Sequence, residues 1–250
     1  MNPPNDKLRT YAHVAPFAVF LVFLLVPELL NSVGWDATDE SAPWYVAHPE
    51  HWIYPTQTFA CLGTLLYFRK SYQFAPHKDW LLAATLGIVC IALWIAPGWL
   101  FRHFNADEGW YRYFGFTNRS AGFNPDDVRP FGIAVYSTAV MMRFVRLVIV
   151  VPLIEEIFWR GFLMRFITDP DGDFWNVPFG THHRRALIGV TVLFVLAHSS
   201  VDFLPASIFG LGMYWITIRS KSLSACVLMH AVANLILGVY IMTTQQWGYW

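Results

Sequence analysis

Residues 155–162 read EEIFWRGF, two glutamates and an arginine set inside an apolar run that extends from Phe131 to Ile167. A charged side chain at mid-bilayer costs about 2.5–3.5 kcal/mol on insertion scales. Three within six residues need a common reason. Two more polar clusters interrupt apolar runs further along: His198, four residues after Phe194, and His230, four residues before Asn234. The economical reading is that the three clusters converge on one buried site that water can reach.

Working outward, the whole chain has a lipid-facing composition. Apolar residues make up 56% of its 250 positions and charged residues 14%, where soluble domains sit near a quarter charged. The apolar stretches are continuous rather than alternating, which argues for helices over barrel strands. The expected fold is all-α, a polytopic integral membrane bundle of seven to eight transmembrane helices. The spans are Val14–Leu30, read as an uncleaved first helix, then Ile53–Phe68, Trp80–Phe101, Phe131–Ile167, Ala186–Ala197, Pro205–Ile218 and Leu223–Met242. Residues 1–250 read as one membrane domain, with the polar motifs in 131–242 and with accessory helices and a long polar loop (102–130) in 1–130. At 1.5 Å per residue the run 131–167 is about 55 Å long, almost twice the hydrocarbon thickness. It is read as one long, kinked crossing, with a break into two helices at Pro152 left open, hence seven or eight.

Charge distribution sets the expected orientation. With the N-terminus in the cytoplasm, that side holds Lys7, Arg9, Arg69, Lys70, Lys78, Arg165, Arg184, Arg185, Arg219 and Lys221. The opposite side holds Arg102, Arg112, Arg119 and Arg129, and the loop from Asn31 to His51 has no lysine or arginine. The bias matches the positive-inside rule. Net charge is zero and no basic tract occurs, so nucleic acid is not an expected partner. Cys61, Cys90 and Cys226 are dispersed in apolar segments, with neither a disulfide framework nor a zinc spacing.

Helical phase separates the polar residues into roles. Residues four apart share a helix face, which pairs Glu156 with Arg160 and leaves Glu155 free. His230 and Asn234 align one turn apart, an imidazole and a carboxamide that can be aimed at one oxygen. A carboxylate and an imidazole can hold and deprotonate a water. A second imidazole and an amide can stabilise the oxyanion of a peptide carbonyl turning tetrahedral. Glu155, His198 and His230 are also standard zinc ligands, and their spacing does not separate metal-bound water from glutamate-activated water.

The runs EEIFWRGF (155–162), FVLAH (194–198) and HAVAN (230–234) resemble the three motifs of the CAAX prenyl endopeptidase family, also called CAAX proteases and bacteriocin-processing enzymes. Those motifs are Glu-Glu-x-x-x-Arg, Phe-x-x-x-His and His-x-x-x-Asn/Asp. The resemblance implies water activation by Glu155 and His198, an oxyanion hole from His230 and Asn234, and support from Glu156, Arg160 and Phe194. It implies a peptide or lipidated-protein substrate in contact with membrane lipid. The chain is also similar to a bacterial branch found alongside exosortase systems, which implies the bacterial inner membrane. Competing classes are a transporter or ion pathway, for which no repeated halves are visible, and a catalytically idle relative that retains a membrane partner, against which every motif position is filled. Cys226 reads as packing, 169–173 as a turn, and Arg143 and Arg146 have no role that the sequence assigns.

Overall fold

The computed structural model describes residues 6–32, 43–104 and 106–250. Its longer elements are α1 (Asp6–Leu24), α2 (Val26–Ser32), α3 (Trp44–Ala47), α4 (Glu50–Tyr67), α5 (Trp80–His103), α6 (Ile133–Thr168), α7 (Arg184–Leu196), α8 (Phe203–Ser220) and α9 (Leu223–Thr244). No strand occurs among the described residues, and residues 33–42 of the expected Asn31–His51 loop lie outside them. The helices group into two compact units, 1–72 with 123–154 and 73–122 with 155–250.

In the first unit α1 packs on α4, and α4 on the first part of α6. Here the two unassigned arginines find their place. The guanidiniums of Arg143 and Arg146 lie 4.6 and 4.7 Å from the ring centre of Tyr54, an arrangement in which the ring quadrupole attracts the cation. Gln57 is buried and uses both ends of its amide: Nε2 donates to the Phe20 carbonyl at 2.8 Å, and Oε1 accepts from Arg146 Nε at 2.7 Å. Buried polar groups must be hydrogen-bonded to be tolerated, and Gln57 meets that condition.

The second unit is built on α5 against α9, with α8 packed on α5, α7 and α9. The close approach of α5 and α9 depends on Gly87, where a Cβ would fall 2.5 Å from the Met229 carbonyl oxygen. Small residues that let backbones approach are the usual means of packing helices in lipid. The polar loop is tied to this unit at its centre: Arg119 is buried and donates to both carboxylate oxygens of Asp202, at 3.2 and 2.7 Å. Short 3₁₀ segments, Trp110–Phe114 and Pro125–Phe131, occupy its flanks.

At Pro152 helix α6 follows the one-crossing reading: it runs for 36 residues and contains two π-helical stretches, Arg146–Val150 and Ile157–Leu163. Proline lacks an N–H, and its ring clashes with the carbonyl four residues back. A π turn shifts the hydrogen-bond pairing by one residue, so the helix absorbs Pro152 without ending.

Five helices among the described residues are long and apolar enough to cross a membrane: α1, α5, α6, α8 with its preceding turn, and α9. The protein is therefore an all-helical integral membrane protein. The expected second and fifth spans form helices but fall outside this group. Helix α7, 13 residues long, reaches only about 20 Å, short of a hydrocarbon core about 30 Å thick.

Candidate active site

Every motif residue lies in the second unit, carried by the end of α6, the end of α7 and the middle of α9. The second π stretch begins directly after Glu156 and includes Arg160. Single π turns inside α-helices recur at functional sites because they re-aim side chains. The phase pairing holds: Arg160 Nη1 lies 3.2 Å from Glu156 Oε2 and 3.3 Å from Oε1, with the side chains 1% and 0% exposed.

The pair has a third member that the spacing did not disclose. His230 Nδ1 lies 2.8 Å from Glu156 Oε1. A carboxylate can only accept, so Nδ1–H donates and the ring's orientation is set by the Glu156–Arg160 pair. Nε2 is then a bare lone pair in the neutral ring and a donor in the imidazolium. His230 can serve an oxyanion only in the second form, with the Glu156 anion against it. Asn234, also buried, stands one turn further along α9.

His198 lies just beyond the α7 C-cap at Ala197 rather than within a helix. Its Nδ1 is 2.7 Å from the Phe194 carbonyl oxygen, which can only accept. Nδ1 therefore carries the proton, and Nε2 is left to accept from water. Phe194 holds the neighbourhood together. It is 1% exposed, and its ring centre is 4.5 Å from that of His198, 5.9 Å from Trp159 and 5.3 Å from the Arg160 guanidinium carbon. Phe209 continues the cluster, 6.1 Å from Phe194 and 5.3 Å from His230.

Glu155 is half-buried, and no hydrogen bond or ion pair engages it among the described residues. The structure thus brings Glu156, Arg160, His230, Phe194 and His198 into one connected cluster, and Glu155, next in sequence to Glu156, is not consumed by structure. The chemistry below is derived from these side chains alone.

Three contributors were missed in the sequence. Trp94 on α5 sets its ring 5.4 Å from that of His198 and donates Nε1–H to Asp202 Oδ1 at 3.1 Å, the same carboxylate that Arg119 holds. Asp202 stands four residues after His198, a spacing that could have flagged it. Nothing local marked Trp94 or Arg119. Cys226, on α9 one turn before His230, is fully buried with Sγ 3.3 Å from Thr217 Oγ1, as packing requires.

The fold and cluster define a helical membrane protein with a buried glutamate–arginine–histidine chain. Residues 137–236 match the family model described as type II CAAX prenyl endopeptidase, Rce1-like. The match takes in all three motifs, and the resemblance they carry is borne out over that stretch; the family is one of proteases. No curated protein and no solved structure matches the chain.

Proposed function

We propose that the protein is an intramembrane endopeptidase of the CAAX type, hydrolysing a peptide bond of a lipid-linked or membrane-embedded substrate. The observation that carries this reading is the buried Arg160–Glu156–His230 chain beside an unengaged Glu155. One glutamate of the pair is spent on positioning, and the other is left for chemistry. A water between Glu155 and His198 Nε2 gives its proton to Glu155 as its oxygen attacks the scissile carbonyl carbon. The carbonyl π pair moves onto oxygen, where His230 Nε2–H and the Asn234 amide N–H donate to the oxyanion. Collapse of the tetrahedral species breaks the C–N bond, and Glu155 passes the proton to the leaving nitrogen.

The lysine and arginine distribution fits an arrangement in which α4 and α7 cross as well, with help from their flanks, giving seven crossings with the N-terminus inside a bacterial cell membrane and an entrance on the cytoplasmic side. The test is a cleavage assay in proteoliposomes on candidate lipidated and membrane-embedded peptides, comparing wild type with Glu155→Gln. Products from wild type alone support the reading. Equal turnover by both ends it.

A further inference from the structure

A second polar cluster lies in the first unit, at the head of α4, and the peptidase reading does not use it. His48 Nδ1 is 3.8 Å from Glu50 Oε1 and 4.0 Å from Asp127 Oδ2, and the three ligand atoms all lie within 4.8 Å of one another. These separations are too long for hydrogen bonds but suit ligands around a shared centre. A point about 2.1–2.5 Å from all three exists, within a few tenths of an ångström of zinc–nitrogen and zinc–oxygen bond lengths.

An independent observation points to the same place. The His51 side chain is 2% exposed with Nε2 3.7 Å from Glu50 Oε1, and neither ring nitrogen finds a partner at hydrogen-bond geometry among the described residues. A buried imidazole without a partner is costly. Asp127 Oδ1 accepts from Asn124 Nδ2 at 2.9 Å, leaving Oδ2 turned toward His48. Metal-ligating carboxylates are oriented by outer partners of this kind.

We propose that His48, Glu50 and Asp127 bind a divalent first-row transition metal of the zinc class, with the buried His51 ring packed against Glu50. A set that includes an imidazole suits zinc-class ions better than magnesium or calcium, which favour all-oxygen shells. The ion would cross-link the first turn of α4 to the 3₁₀ segment Pro125–Phe131, a structural role within the first unit.

The test uses the full chain, purified in detergent and stripped with a chelator, then titrated with Zn²⁺ alone and with Mg²⁺ as comparison. Metal content after dialysis, calorimetry and the shift in Tm are read. The expected result is one equivalent of zinc that Mg²⁺ does not displace. Its affinity should fall at least about tenfold in His48→Ala and in Asp127→Asn, together with the Tm shift. The Glu155→Gln/His198→Ala double variant should keep that equivalent, which separates this site from any metal held by the catalytic motifs. Asp127→Asn preserves shape, so the test stands if His48→Ala misfolds. The proposal is overturned if wild type retains no zinc. It is equally overturned if Asp127→Asn keeps the equivalent that the double variant loses.

Discussion

Replacing Glu156 by glutamine keeps side-chain volume and removes one charge, which makes it a clean probe of the buried chain. Its carboxylate is fully buried and faces two cationic or donating partners, Arg160 at 3.2 Å and His230 at 2.8 Å. After the change Arg160, itself 1% exposed, keeps a charge with no counter-ion. Breaking a buried pair from one side costs about 3–5 kcal/mol, whereas replacing both members with apolar groups is often near neutral. Glu156→Gln should therefore destabilise the protein by about 3–5 kcal/mol, and Glu156→Leu/Arg160→Met by clearly less than Glu156→Gln alone. Denaturant unfolding of the detergent-solubilised protein measures both. The double variant should fold yet remain inactive, because His230 has lost the group that orients it. If Glu156→Gln cost less than about 1 kcal/mol, or if the double variant were less stable than Glu156→Gln, the electrostatic account would be wrong.

Four other outcomes are expected. Glu155→Gln should insert and unfold like wild type while activity falls about 10²–10⁴-fold, the usual share of a general base; this is read by pairing the cleavage assay with Tm. Phe194→Ala should cost about 3–5 kcal/mol and lower activity as well, since the ring contacts both His198 and Arg160; unfolding and turnover on one preparation show it. Gly87→Ala should destabilise by forcing α5 away from α9, while Gly63→Ala, with nothing within 4 Å of its new Cβ, should be neutral or slightly stabilising; a Tm comparison decides. Reporters fused after Arg69, Arg185 and Lys221 should all give cytoplasmic signals, and external signals at the last two would invert the proposed entrance.

Much of this protein follows from one-dimensional information. Continuous apolar runs impose helices in lipid, because every backbone N–H and C=O must be satisfied within its own segment. The three motifs were legible because a charge among apolar residues is conspicuous, and the four-residue spacing of Glu156 and Arg160 sufficed to pair them on one face. The tertiary structure alone decided which glutamate His230 meets, because α6 and α9 are brought together by packing that no local spacing encodes. It also decided how Pro152 is absorbed: π-helical pairing depends on the energetics of the whole helix, and the proline by itself signals only a lost hydrogen bond. Trp94, Arg119 and Asp202 come from three separate segments of one unit, and Arg143, Arg146, Tyr54 and Gln57 from two helices of the other. Their roles exist only where helices meet, since an aromatic face or a buried amide becomes a partner for a cation through proximity in space and not through sequence distance.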